Sequence, residues 1–198
     1  TPTAPLRLEV RLLDAPPVHA EIGRGDRLWL AAGGRTLDLL RLPGAVLERT
    51  AAVATVGAPV LLPGGAALAA ASPEGDLLLL DPESLAPRGA VAAVAGEDPR
   101  ALVPARDGRR LWIVRGDGEV REVDVPGRRP GRRWALDRPL EAGTLLEADG
   151  RRELWLSVEG SPEILVLDLD GAPGEARVLR TRRDGGPLCA VHEGSGAP

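Results

Sequence analysis

The sequence predicts an all-β fold built from repeated four-stranded sheets. Three observations predict it. A tryptophan-centred strand motif recurs, three series of turn residues share its period, and short apolar runs lie between the turns. The motif reads Arg27-Leu28-Trp29-Leu30, Arg110-Leu111-Trp112-Ile113 and Glu153-Leu154-Trp155-Leu156. Trp112 and Trp155 are 43 residues apart, and Trp29 and Trp112 are 83 apart, two periods. The missing middle copy falls at Ala67-Leu68-Ala69-Ala70. Four strands in about 42 residues, repeated, is the pattern of β-propeller blades. One blade cannot bury both of its faces, so neighbouring blades must cover them.

Taken in order, each repeat opens on an inner strand. These are expected near Val18–Ile22, Pro59–Leu62, Ala101–Val103 and Thr144–Leu146. A turn follows at Gly25-Asp26, Gly64-Gly65, Asp107-Gly108 and Asp149-Gly150. The tryptophan-motif strand comes next. A second turn lies at Gly33-Gly34, Gly75-Asp76, Gly116-Asp117-Gly118 and Gly160-Ser161. Such pairs supply the fixed or positive φ that tight hairpins need. Third strands are expected at Thr36–Leu40, Asp76–Leu80, Glu119–Val125 and Glu163–Leu169. Their apolar and β-branched runs, bounded by turns, read as strand. A third turn is set by Pro43-Gly44, Asp81-Pro82, Pro126-Gly127 and Asp170-Gly171. Outer strands close the repeats near Ala45–Thr50, Gly89–Val94, Arg132–Leu136 and Ala176–Thr181. Long helices are disfavoured, because 25 Gly and 19 Pro are spread throughout.

The blades thus span about 18–50, 58–94, 100–137 and 142–181 of one domain covering 1–198. Two terminal strands are left over. Leu6–Leu13 alternates apolar and charged residues and has the phase of an outer strand from a preceding blade. Leu188–His192 has the phase of an inner strand from a following blade. A shared closing blade would lack its two middle strands, so the chain is expected to form part of a larger ring.

Composition narrows the function. Of 198 residues, 43 % are hydrophobic and 27 % charged, with a net charge of −4, which excludes a wholly disordered chain. There is no Phe, Tyr, Met, Lys, Asn or Gln. A GC-rich bacterial genome accounts for this bias, and adaptation to heat is compatible with it. The core must therefore be made of Leu, Val, Ala and four Trp. No run reaches the 18 apolar residues that a membrane-spanning helix needs. The chain opens at Thr1 without Met or a signal peptide. That suits a mature secreted form or a piece of a longer protein, and a periplasmic or secreted location is favoured over the cytoplasm. Cys189 is alone and forms no intrachain disulfide.

Asp107-Gly108-Arg109-Arg110-Leu111-Trp112-Ile113-Val114, a Gly turn, then Glu119-Val120-Arg121-Glu122-Val123-Asp124-Val125 resembles the YVTN-type β-propeller repeat. Asp149–Leu156 with Glu163–Asp170 repeats the match, with Trp in place of the family's Tyr and without its Asn. The resemblance covers roughly residues 18–181. It implies the propeller fold and leaves the activity open, since that fold hosts many unrelated functions.

The sequence offers no catalytic, cofactor-binding or metal-ligating set. Propeller lactonases and quinoprotein dehydrogenases hold their groups with Asn, which is absent, and the latter often use adjacent Cys residues. Two His, one Cys and five Ser leave few nucleophiles or bases. A propeller enzyme of either kind is the alternative to the favoured reading, a non-catalytic scaffold or protein-binding module. No cofactor is expected. His19 and His192 fall on inner strands, where ordinary surface or channel positions explain them. Asp168-Leu169-Asp170-Gly171 resembles the start of a calcium loop, but Ala172 and Pro173 break that pattern, so a hairpin turn is expected. Two Arg-Gly-Asp triplets, at 24–26 and 115–117, fall where the repeat already demands turns. The tryptophans at the motif position, Trp29, Trp112 and Trp155, are expected to pack between blades.

The candidate partner site is basic. Residues 100–133 hold ten Arg against five acids. Arg128, Arg129, Arg132 and Arg133 lie within six residues, in a Pro/Gly segment expected as a turn, and Trp134 follows directly. An Arg–Trp stack is expected there. Such a rim suits another protein, with an acidic or phosphate-bearing surface. Nucleic acid is disfavoured by the net negative charge and the lack of Phe and Tyr for stacking.

Overall fold

Apolar runs buried on both faces in the middle strands, cut by Gly, Pro and Asp, give sixteen strands among the described residues. The computed structural model describes residues 17–180 except 24, 25, 33, 34, 43, 45, 149 and 172–175. The first sheet holds β1 (Pro17–Ile22), β2 (Arg27–Ala32), β3 (Thr36–Arg41) and β4 (Val46–Ala51). The second holds β5 (Val56–Leu61), β6 (Leu68–Ala71), β7 (Leu77–Leu80) and β8 (Pro87–Val91). The third holds β9 (Pro99–Pro104), β10 (Arg110–Arg115), β11 (Glu119–Asp124) and β12 (Arg129–Ala135). The fourth holds β13 (Leu140–Ala148), β14 (Arg151–Val158), β15 (Glu163–Asp168) and β16 (Ala176–Arg180). Each sheet is an antiparallel meander in chain order. The single helical piece among the described residues is the 3-10 turn Pro63–Gly65, so no helix is long and apolar enough to cross a membrane.

All four expected blades are present. The expected terminal strands, with Cys189 and His192, lie outside the described residues, as do Arg24 and Gly25 of the first Arg-Gly-Asp triplet. The basic segment differs from expectation. The turn is confined to the residues just before Arg129, where Arg128 takes φ 49°. From Arg129 onward the chain is outer strand β12, including Pro130 and Gly131. Proline is tolerated there because an edge strand does not need every N–H for its ladder.

The chain divides into two compact units, Thr1–Ala93 and Val94–Pro198, each holding two sheets. In the first, β1 runs beside β5 and marks the inner side of the pair. Trp29, Ala31, Leu37 and Leu39 pack on Leu68, Leu80 and Leu85 of the second sheet. The Trp29 Nε1–H donates to the Pro82 carbonyl at 3.0 Å. In the second unit, β9 runs beside β13. Trp112, Val114, Val120 and Trp134 pack on Leu154, Leu156, Leu165 and Leu167 of the fourth sheet. Gly143 is required where these inner strands meet, since a Cβ there would sit 2.8 Å from Val114 Cγ2.

Two expectations about tryptophan change. Trp155 has the same register as Trp29 and Trp112, yet it is only partly buried. Trp134, expected on the surface beside the arginines, is 2 % exposed. Its pairing with Val120 turns it onto the same sheet face as Val114, inside the core.

Candidate functional site

The basic cluster grows out of strand alternation in the third sheet. Two glutamates on β11, Glu119 and Glu122, are 5 % and 7 % exposed. A buried carboxylate must be paired and hydrogen-bonded. Glu119 takes Arg115 at 3.1 Å, Arg121 at 2.6 Å and Arg133 at 2.5 Å. Glu122 takes Arg110 at 3.3 Å and Arg132 at 3.0 Å. Much of the basic excess therefore offsets charge inside the blade.

The five expected partner-site residues separate accordingly. Arg132 bonds Glu122, donates to the Leu169 carbonyl of the fourth sheet, and lies 5.0 Å from the Trp134 ring centroid. The expected stack is real, but it ties two sheets together beside the core. Arg132 and Trp134 are thus committed to packing. Arg133 is exposed and paired with Glu119. Arg129 is exposed and paired with Asp124 at 3.0 Å. Arg128 is exposed, and no ion pair is found for it among the described residues. The accessible cations are Arg128, Arg129 and Arg133.

The loop that resembled a calcium site is a turn. Asp168 Oδ1 accepts the Asp170 and Gly171 N–H groups at 2.9 and 3.0 Å, and Asp170 pairs with Arg152. Among the described residues no group of three or more His, Cys, Asp or Glu is placed to hold a metal ion. His19 sits on β1, partly buried.

A second candidate is an open cleft of about 670 Å³ between the first and second sheets, inside the first unit. Glu21, Ile22, Trp29, Leu61 and the Pro63–Gly65 turn line it, with Arg27 and Glu83 at its edge. Glu21 pairs in register with Trp29, so both face the second sheet. Burial pushes the Glu21 carboxyl above its usual range, and the hydrogen bond from the Leu61 N–H, at 3.3 Å, opposes this only in part. Arg27 pairs with Glu83 at 2.9 Å and not with Glu21. Gly23 is needed here, because a Cβ would collide with the Trp29 ring. Sequence reasoning missed this site. The signal was available by aligning the repeats: Glu21 stands opposite Trp29 where Val60, Val103 and Thr144 stand opposite Ala69, Trp112 and Trp155.

Comparison with known proteins places the geometry. No protein-family model and no curated protein matches the chain. Solved structures do. Hydrazine synthase from Kuenenia stuttgartiensis is similar over 85 % of this chain and 51 % of its own, at 18 % identity and TM-score 0.67. BamB from Moraxella catarrhalis is similar over 78 % and 45 %, at 18 % identity and TM-score 0.56. The β-propeller domain of Cps50 (Swd1) from Myceliophteria thermophila is similar over 90 % and 63 %, at 16 % identity and TM-score 0.73. The fold is that of a β-propeller. At these identities the likeness shows the fold alone, and the chain spans between 45 % and 63 % of each of these structures.

Proposed function

We propose that this chain is a run of YVTN-type blades from a larger β-propeller, and that its outer strands bind another protein without catalysis. The observation that carries the reading is the contrast between interior and rim charge. Glu119 and Glu122 tie Arg115, Arg121 and Arg132 against the blade, while the outermost strands present unpaired edges and exposed side chains. Leu47 on β4 is 54 % exposed, Val178 on β16 is 52 % exposed, and Arg128 and Arg129 open the β12 edge. An edge strand with apolar and cationic side chains is a template for protein contact. The YVTN reading is supported by the Asp that ends the third strand in two blades, Asp124 and Asp168, and directly follows it in another, Asp81. Membership of a larger ring is supported by Leu146, 47 % exposed on the same sheet face as the partly open Trp155.

A photo-crosslinking residue placed at Leu47, Arg129 or Val178 tests the reading in the native host. The expected result is a discrete protein adduct from at least one rim position, with the β12 adduct weakened by salt and by R128S. Arg132 is left intact, because removing it would disturb packing. Absence of any protein adduct at all three positions would overturn the proposal.

A further inference from the structure

We propose that the cleft between the first two sheets is an anchor site for a lysine side chain supplied by the partner protein. The inference rests on the protein-binding reading above and names the chemistry of one contact. Glu21 provides the reason. Its carboxylate stands in a partly apolar cleft with one hydrogen bond, from the Leu61 N–H, and no cation among the described residues pairs with it. A carboxylate so placed has lost part of the water that would solvate it and has no counter-charge among the described residues in exchange.

The walls suit an alkyl stem. Ile22, 74 % exposed, flanks the opening, and Leu61 and the Trp29 ring lie deeper. A lysine would lay its four methylenes along these surfaces and bring the ammonium to Glu21. A compact ammonium fits better than a guanidinium. Glu21 Oε1 already accepts the Leu61 N–H, which leaves Oε2 for the single contact an ammonium makes, while a two-pronged guanidinium would share Oε1 with that N–H. Glu83 and Arg27 at the cleft edge pair with each other and carry no net charge together, which leaves Glu21 as the unpaired charge of the lining described. Gly64 and Gly65 carry positive φ and have open space where a side chain would project, which leaves the opening unobstructed. Lysine is absent from these 198 residues, so none of them supplies the side chain.

The test is an NMR titration of the intact protein, read at the Leu61 amide and the Trp29 indole N–H. The probes are an alanine-rich nonapeptide with one central lysine, the same peptide with norleucine, and n-butylamine. The expected result is saturable movement of both signals with the lysine peptide and none with the norleucine peptide. Binding should weaken at least tenfold in E21Q and be at least tenfold tighter for the lysine peptide than for butylamine. E21Q should melt no lower than the parent, since it removes a poorly solvated charge, so a loss of binding is not a loss of fold. Failure of the lysine peptide to move either signal, or equal binding by E21Q, would overturn the inference. Equal affinity for butylamine would also overturn it, by making the cleft a site for free amines. Rim crosslinks that persist in any of these cases would leave the protein-binding reading standing and remove only the anchor.

Discussion

Trp29 and Trp112 hold the same place in two repeats, yet their indole N–H groups fare differently. Trp29 donates to the Pro82 carbonyl. The matching carbonyl in the fourth sheet belongs to Leu169, and Arg132 occupies it. Trp112 Nε1 is left buried without a partner among the described residues. Replacing each indole with a phenyl ring therefore has unequal results. W29F strands a buried carbonyl, whereas W112F removes an unpaired donor. The first should cost about 1 kcal/mol more than the second, beyond the volume loss they share. Amide exchange read locally, at Leu39 for W29F and at Leu154 for W112F, measures the difference. An equal or larger cost for W112F would mean that the indole hydrogen bond is not what distinguishes them. Trp134 shows at the same scale why its burial is hidden in the sequence. Four nearby arginines suggested a surface turn, but cross-strand pairing with Val120 decides its direction, and pairing is not visible in a linear reading.

The third-strand aspartates show how the turn series works within each blade. Asp81 Oδ1 accepts the Glu83 and Ser84 N–H groups at 2.9 and 2.7 Å, and its other oxygen pairs with Arg88. Asp124 accepts the Gly127 N–H at 3.2 Å and pairs with Arg129. Both turns end the third strand and aim the chain into the fourth. The first blade departs from this, with Arg41 in the Asp position and paired with Glu48. The N–H of Ser84 holds the Asp81 carboxyl well below the ordinary value, helped by the Glu83 N–H and Arg88. Gly127 and Arg129 lower Asp124 likewise. A lowered native pKa means stability that is present above the unfolded value, about 3.9 for Asp, and lost as pH falls through the native value. The β7–β8 and β11–β12 turns should therefore loosen on acidification below about pH 3.9. Faster exchange of the Ser84 and Gly127 amides than at pH 5, after correction for intrinsic rates, is the expected readout. D81A at neutral pH should reproduce the effect at Ser84. Unchanged protection in D81A would show that the carboxylate does not hold the turn.

At the scale of the molecule, the repeat makes the architecture readable in the sequence. A period of about 42 residues was marked by several turn series at once, and turns need particular residues for steric reasons. The blades and their strand order followed from it. The cleft did not, because its signal is one residue, Glu21, that breaks the repeat at an inner-strand position. The basic cluster was visible as composition, but its division into inward ties and rim cations depends on which side of β12 each arginine takes. The central claim is that Trp29 and Trp112 are each buried by the blade that follows within the same unit. Protection of the four indole N–H signals of the intact protein from a soluble paramagnetic agent tests this most directly. Trp29, Trp112 and Trp134 should keep their signals while the amides of the exposed turn residues Arg106 and Asp107 broaden. Broadening of Trp29 or Trp112 as readily as those turn amides would contradict the account.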